Sequence, residues 1–190
     1  AGIEAYRRHA YRRDVEDPTV IWAEGSTRLL DYGGVEGAIK PGMTVLFAPS
    51  LVNRGYVLDL SARRSMVRWM AQNGIRPLLI DWGAPGEAEQ EFTLDDYVLG
   101  RLGSAIDEAL SLSRGFTGDR IGLVGYCMGG DLALASAQHR QSDLSALALL
   151  ATPWDFHGGS GLQGSLFAAA RDSLDAVISG FGELPVDILQ

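Results

Sequence analysis

The stretch Ile121-Gly122-Leu123-Val124-Gly125-Tyr126-Cys127-Met128-Gly129-Gly130 decides the fold of this chain. It begins with a strand pattern, and a helix pattern of small residues follows it over residues 130–140. On a tight turn between a strand and a helix, side chains two positions before or after the central residue would strike the neighbouring elements. Gly125 and Gly129 leave that space open around Cys127, in the form G-x-C-x-G. We therefore interpret Cys127 as a nucleophile on a strand–turn–helix elbow.

The position of Cys127 and its thiol group indicate which type of reaction it could catalyse. The backbone amide of Met128 would point into the site and stabilise an oxyanion, and the helix N-terminus would stabilise a thiolate. A thiol that attacks a thioester forms another thioester, so the acyl group stays activated for transfer. Cys127 thus favours acyl transfer over hydrolysis, and the alternative is a buried free cysteine without a catalytic role.

Strand and helix patterns alternate along the rest of the chain, which is typical of a parallel α/β sheet. Residues Thr19–Trp22 and Arg28–Tyr32 predict an antiparallel hairpin at the sheet edge. The order β-β-β-α-β-α-β-α-β-α predicts a doubly wound sheet with right-handed crossovers. The other predicted strands are Thr44–Ala48, Pro77–Trp82, Ile121–Val124 and Leu147–Ala151, and the predicted helices span residues 61–73, 93–115, 130–140 and 162–181.

Composition excludes several classes of protein. The 190 residues are 46% hydrophobic and 21% charged, which is ordinary globular usage. A net charge of −8 gives no general attraction for nucleic acid or for an anionic membrane. Cys127 is the single cysteine, so an intrachain disulfide is excluded. No segment has the length of a membrane span or the form of a signal peptide, and we expect a soluble, cytoplasmic protein without metal or cofactor. The chain starts at Ala1 and its last residues resemble interior sequence, so we expect a truncated segment.

From about Val45 to Phe156 the sequence resembles the polyhydroxyalkanoate synthases, which have an α/β-hydrolase core with a lipase-like box that carries cysteine. Residues 53–60 are similar to the N-K-x-Y-I-L-D-L stretch of that family, and residues 65–68 to its S-L-V-R helix. The remaining similar motifs are Asp81-Trp82 with Pro85 (family S-W-x-N-P), Asp95-Asp96-Tyr97 (family W-D-D-Y), Gly125–Gly130 and Asp155-Phe156.

The resemblance implies the first six strands of an α/β-hydrolase core over residues 1–157 and the start of a lid over residues 158–190. It implies Cys127 as the nucleophile, with the backbone amides of Met128 and Val52 as oxyanion donors. Val52 could instead make only an apolar contact at the edge of its loop. Asn53 and Tyr56 either line the same pocket or order the loop.

The same resemblance implies a reaction and its partners. Cys127 would take the acyl group from a 3-hydroxyacyl-coenzyme A thioester and pass it to a growing polyester. The surface of a storage granule and a homodimer through the lid region are further expectations. Two alternatives stay open. One is an esterase, depolymerase or thioesterase of the same fold, and the other is a hydrolase-fold binding subunit without catalysis.

A catalytic base is hard to find in this sequence. The family's aspartate and histidine lie downstream of the lid. Here His9 precedes the core, and His139 ends the helix that begins at the nucleophile. Asp155 and His157 are too close in sequence to take the acid and base positions easily. We expect the 190-residue chain to be inactive by itself, and its last predicted strand, Leu147–Ala151, to be an exposed, self-associating sheet edge.

Overall fold

The computed structural model describes residues 4, 8–9, 13–155 and 162–182, and a mostly parallel β-sheet lies at its centre. Within this part of the chain the strands are β1 (Thr19–Glu24), β2 (Thr27–Asp31), β3 (Met43–Ala48), β4 (Asp59–Ser61), β5 (Arg64–Ser65), β6 (Ile75–Asp81), β7 (Ile121–Tyr126) and β8 (Leu144–Leu150). The six-stranded sheet has the order β1-β2-β6-β3-β7-β8, and β4 pairs with β5 in a separate hairpin. Strands β6, β3, β7 and β8 are parallel, β2 pairs antiparallel with β6, and β1 pairs antiparallel with β2. The predicted edge hairpin and doubly wound sheet are confirmed.

Helices follow the strands in the predicted alternation. They are α1 (Met66–Gln72), α2 (Leu102–Arg114, preceded by a π-helical stretch over Asp96–Arg101), α3 (Met128–His139) and α4 (Leu162–Phe181). The boundaries of α4 agree with the prediction, whereas α3 starts two residues earlier than predicted and β8 starts three residues earlier. The division at residues 157–158 into core and lid stays a prediction.

The start of α1 differs most from the sequence expectation. The prediction placed its first turn at residue 61, but residues 59–65 form the β4–β5 hairpin. The helix begins only after Ser65, whose side-chain oxygen accepts a hydrogen bond from the Arg68 amide at 3.0 Å. This N-cap satisfies an amide that has no partner within the helix, which explains the later start.

The central strands are buried on both faces. In β3, Leu46 and Ala48 pack into the apolar cluster beneath α2 and α3, while Val45 and Phe47 pack into the cluster on the α1 side. Alternate residues of one strand therefore supply both layers of the core, as expected for a parallel sheet covered by helices on each side. Leu102, at the start of α2, is fully buried in the first of these clusters.

The topology opens a crevice between β3 and β7. From β3 the chain passes through α1 to β6 on one side, and from β7 it passes through α3 to β8 on the other side. Where neighbouring parallel strands lead away in opposite directions, the carboxyl ends of those strands leave room for a ligand. Cys127 follows β7 and the loop of residues 49–55 follows β3, so both lie at this point.

A buried carboxylate joins three distant parts of the chain. Asp59 is fully buried and forms ion pairs with Arg13 at 2.7 Å and Arg68 at 2.8 Å, and it accepts a hydrogen bond from the Tyr32 hydroxyl at 3.0 Å. Burial alone would raise the pKa of Asp59, but hydrogen bonds from Arg68, Ser65 and Arg13 outweigh it and hold this pKa below its ordinary value. The network attaches the segment before β1 to the sheet and to α1.

We expect Asp59→Asn to lower the free energy of unfolding by about 3 kcal/mol at pH 7, because two arginines lose their counter-charge. A carboxylate with a lowered pKa stabilises the fold above its unfolded pKa of about 4 and loses this effect as the pH falls through the folded value. The difference between wild type and variant should therefore shrink below about pH 4.

Urea unfolding followed by circular dichroism at pH 7 and at pH 3.5 measures both effects (the lower value chosen to lie roughly below the unfolded pKa). Asp119→Asn, at an exposed position, is the matched control and should change stability by less than about 0.5 kcal/mol. An equal loss for the two variants would contradict the role given to Asp59.

Strand β8 is the edge of the sheet within the described residues and is largely exposed. Leu147 is 36% exposed and Leu149 is 41% exposed, and both lie on one face because side chains alternate along a strand. An apolar strand with unpaired backbone groups is a template for pairing with another chain. The structure therefore agrees with the expected exposed edge over residues 147–151.

For the 190-residue chain we expect association that increases with concentration and that proceeds through β8. Replacing both Leu147 and Leu149 by lysine should shift the chain toward the monomer, because charged side chains oppose pairing at this edge. Size-exclusion chromatography with light scattering reports the change. Ile39→Lys removes another exposed apolar side chain and should leave association unchanged. A wild-type chain that stays monomeric at its highest attainable concentration would refute the idea.

Candidate active site

Cys127 lies on a strained turn between β7 and α3. Its backbone has φ 53° and ψ −132°, a left-handed φ that residues other than glycine seldom adopt. The turn is held from both sides. The Cys127 amide donates to the Leu150 carbonyl at 2.8 Å, and the Cys127 carbonyl accepts from the Gly130 amide at 2.8 Å. The predicted elbow geometry is thus present, and strain of this kind clusters at functional sites.

The glycines around the elbow are required by close packing. A Cβ on Gly125 would lie 2.4 Å from the Gly130 Cα, and a Cβ on Gly129 would lie 2.2 Å from the Ala48 carbonyl oxygen. A Cβ on Gly130 would lie 1.8 Å from the Thr152 hydroxyl oxygen. These distances agree with the clearance argument made from the sequence for Gly125 and Gly129. They also show that Gly130 leaves the space that the Thr152 side chain, two residues after β8, occupies.

Met128 is the first residue of α3, so its amide has no acceptor within the helix. It lies directly after Cys127, at the positive end of a 12-residue helix dipole. Asp131 lies in the first turn of the same helix, where burial raises the pKa of its carboxyl group. The amide of Met128, the predicted donor, therefore has no acceptor within the helix, and its role as an oxyanion donor stays a prediction.

The second predicted donor, Val52, has a partner within the protein. Its amide donates to the Ser50 hydroxyl at 3.1 Å, and Ser50 is 1% exposed. An oxyanion held by Val52 would have to take the place of this hydroxyl. Sequence reasoning missed Ser50, although a serine two residues before an amide commonly accepts its hydrogen bond.

Trp82 supports the loop that carries Val52. The indole Nε1 of Trp82 donates to the Pro49 carbonyl at 2.9 Å, and the ring packs edge-on against Tyr97 at a centroid distance of 5.8 Å. The Pro49 carbonyl also lies against the elbow, since a Cβ on Gly129 would come within 2.3 Å of its oxygen. The start of the loop of residues 49–55 is therefore fixed between the elbow and a buried indole. From the sequence, Trp82 was only part of a family motif.

Asn53 and Tyr56 line two adjacent clefts rather than one. The inner cleft, of about 240 Å³, is lined by Val52, Asn53 and Trp82 among others. The outer cleft, also of about 240 Å³, includes Tyr56 in its wall. The residues shared by the two clefts are Arg54, Gly55 and Asp81.

The two described histidines, His9 and His139, are not part of the elbow. His139 is the last residue of α3, 12 positions after Cys127, which is about 18 Å along a helix. His9 lies before β1 in the chain, outside the sheet. His157 lies outside the described residues, so the pair of Asp155 and His157 stays untested. In the same part of the chain no group of acidic, histidine or cysteine side chains could hold a metal ion, and no helix is long and apolar enough to cross a membrane.

The sequence of this chain is similar to those of several known proteins. The sequence profile of the dienelactone hydrolase family matches residues 86–160, which include the elbow. The poly(3-hydroxyalkanoate) polymerase subunit PhaC of Haloarcula marismortui is 31% identical over 176 residues, which are 90% of this chain and 36% of that protein. The subunit of the same name from Haloferax mediterranei is 33% identical and covers 90% of this chain and 34% of that protein. That from Thiocystis violacea is 28% identical, with coverages of 92% and 48%. The chain thus spans a third to a half of the length of these relatives.

Solved structures identify the fold. A soluble variant of monoglyceride lipase from Saccharomyces cerevisiae superposes with a TM-score of 0.62 at 15% identity, and the match covers 87% of this chain and 56% of that one. The thioesterase domain from the curacin biosynthetic pathway gives a TM-score of 0.51 at 15% identity, with coverages of 85% and 58%. This chain therefore has an α/β-hydrolase core, and over nine-tenths of its length its sequence is similar to poly(3-hydroxyalkanoate) polymerase subunits.

Proposed function

We propose that this protein transfers 3-hydroxyacyl groups from coenzyme A thioesters to a growing polyester through an acyl group bound to Cys127. The observation that carries the proposal is the cysteine on the elbow, with φ 53°, in a chain similar to poly(3-hydroxyalkanoate) polymerases. The polyester product would place the protein at the surface of a storage granule in the cytoplasm. A homodimer through residues 158–190 remains a prediction.

In the first half-reaction the Cys127 thiolate attacks the thioester carbonyl carbon and a new sulfur–carbon bond forms. The negative charge that develops on the carbonyl oxygen would be stabilised by the amide of Met128, and by that of Val52 after it leaves Ser50. When the tetrahedral intermediate collapses, the bond to the coenzyme A sulfur breaks. The leaving thiolate takes up a proton, and the acyl group remains on Cys127.

In the second half-reaction the hydroxyl of the growing chain attacks the acyl-cysteine, an ester forms, and the Cys127 thiolate leaves. A base must accept the hydroxyl proton. His139 is too distant, and we place the base outside the described residues. The 190-residue chain by itself is therefore expected to be inactive, since loss of triad members costs several orders of magnitude in rate.

The second candidate function is hydrolysis, in which water instead of a hydroxyl attacks the acyl-cysteine. It is favoured by one observation, the match of residues 86–160 to the dienelactone hydrolase family. The thiol argues for transfer, because exchange between thioesters keeps the acyl group activated until an acceptor arrives. The two functions share Cys127 and differ only in the acceptor.

In the full-length protein we expect Cys127→Ala to lower turnover of 3-hydroxybutyryl-coenzyme A by at least ~10³-fold, because no nucleophile remains. Cys127→Ser should leave a trace of activity or release free acid. Wild-type Cys127 should react with iodoacetamide at neutral pH faster than a model thiol peptide, because the elbow places it directly before the N-terminus of α3. Mass spectrometry of the labelled peptide locates the modification. Full activity of the alanine variant would remove Cys127 from the reaction.

The fate of the acyl group separates the two candidate functions. The full-length protein should convert 3-hydroxybutyryl-coenzyme A into oligomers and polymer, because the acyl-cysteine is held for a hydroxyl acceptor. Chromatography of the products, together with release of free coenzyme A, gives the ratio of polymer to free acid. Free 3-hydroxybutyrate without any oligomer would establish the hydrolase instead.

A further inference from the structure

The two clefts at the loop of residues 49–55 share an arginine, Arg54, whose charge is not neutralised. We propose that Arg54 binds a phosphate group of coenzyme A, whose nucleotide end then lies along the clefts next to the loop of residues 49–55. This inference rests on the proposed function, because it concerns the substrate of the same site. It adds a binding residue for the part of the substrate that does not react.

The charges along the clefts leave Arg54 as the cation without a counter-charge. Asp17 pairs with Arg13 at 2.7 Å, and Asp81 pairs with Arg28 at 2.5 Å. The other carboxylate oxygen of Asp81 accepts from the Gly83 amide at 3.1 Å. No hydrogen bond or ion pair of the Arg54 side chain is found in the part of the chain that the structure describes.

The charge of the outer cleft is opposite in sign to the net charge of the whole chain. The lining of the outer cleft contains the cations Arg13, Arg28 and Arg54 and the anions Asp17 and Asp81, so it carries one net positive charge. The chain as a whole has a net charge of −8. A positively charged cleft in a negatively charged protein suits a substrate that carries several phosphate charges.

The backbone of Arg54 is fixed although its side chain is exposed. The Arg54 carbonyl accepts from the Val57 amide at 3.2 Å, at the start of the short helix Gly55–Leu58. A Cβ on Gly55 would lie 3.0 Å from the Ile80 carbonyl oxygen, so this turn packs closely on β6. The guanidinium group thus extends from a rigid base, which limits the entropy lost when it binds.

Arg54 also lies close in the chain to Val52, the second proposed oxyanion donor. It is two residues after Val52, so their Cα atoms are at most about 7 Å apart. Asp81, the last residue of β6, lines both clefts, and Cys127 follows β7, so the clefts and the thiol lie at the same carboxyl edge of the parallel strands. A guanidinium binds phosphate through two parallel hydrogen bonds. Tyr56, which is 55% exposed in the outer cleft, offers an aromatic ring beside it for the adenine base.

The test compares two thioesters with the same acyl group in the full-length protein. 3-Hydroxybutyryl-coenzyme A carries the phosphates, and the N-acetylcysteamine thioester lacks them. For Arg54→Gln we expect KM for the coenzyme A substrate to rise about tenfold with kcat within roughly twofold of wild type, because a charge-assisted contact is lost. The kinetic constants for the N-acetylcysteamine thioester should not change. Added salt should raise the wild-type KM for the coenzyme A substrate more than that of the variant.

Two control variants sharpen the comparison. Arg63→Gln removes an exposed arginine outside both clefts and should leave all constants unchanged. Arg54→Lys keeps the charge without the paired hydrogen bonds and should give an intermediate KM. Equal effects of Arg54→Gln on both thioesters would overturn the proposal, because they would mean that Arg54 orders the loop instead of binding phosphate.

A direct measurement separates this inference from the proposed function. Calorimetric titration with coenzyme A itself should show weaker binding to Arg54→Gln than to wild type, whatever reaction the protein catalyses. If neither thioester is consumed by wild type but this difference in binding is present, the proposed function fails and the phosphate contact stands. Equal affinity of wild type and variant for coenzyme A overturns the contact even if polymer is made.

Discussion

The candidate site depends on one close approach, that of the first turn of α3 to the end of β3. Gly129 lies against the carbonyl oxygens of Ala48 and Pro49, where a Cβ would come within 2.3 Å of each. This contact brings the elbow after β7 against the start of the loop after β3, which is the loop that carries Val52. The left-handed backbone of Cys127 is the conformational cost of this approach. The hydrogen bonds of its amide and carbonyl offset that cost.

Much of the architecture could be predicted because buried strands and turns leave strong local patterns. The run 44–48 is apolar at nearly every position since β3 is covered on both faces, and the G-x-C-x-G spacing reports the clearance at the elbow. The β4–β5 hairpin was missed because residues 61–65 contain no Gly or Pro to interrupt the helical pattern of α1. Asp59, the first residue of this hairpin, is paired with Arg13 and Arg68, which are 46 and 9 residues away in the sequence, and no local pattern reports these contacts.

The polar surroundings of the site could be predicted only in part. Met128 follows from the elbow itself, because the first amide of any helix lacks an internal acceptor. The bond between Val52 and Ser50, and the support of Pro49 by Trp82, depend on side-chain directions in the folded protein. No spacing rule encodes the latter contact, which joins residues 33 positions apart. The sequence also does not show that Arg54 has no counter-charge. This follows only from the structure, in which Asp17 and Asp81 are paired with other arginines.

The hydrogen bond from the Cys127 amide to the Leu150 carbonyl links the proposed nucleophile to the last residue of β8, the edge strand within the described residues. Ala151, the next residue, also has a left-handed φ of 50°, so the strand leaves the sheet through a second strained turn. Edge strands open more readily than central ones, and each opening of β8 would release one of the bonds that hold the elbow. Amide exchange at Cys127 should thus follow the opening of β8 rather than that of β7. A strand that paired with β8 would reduce its opening, and through the bond from Cys127 to Leu150 it would also stabilise the backbone of the proposed nucleophile.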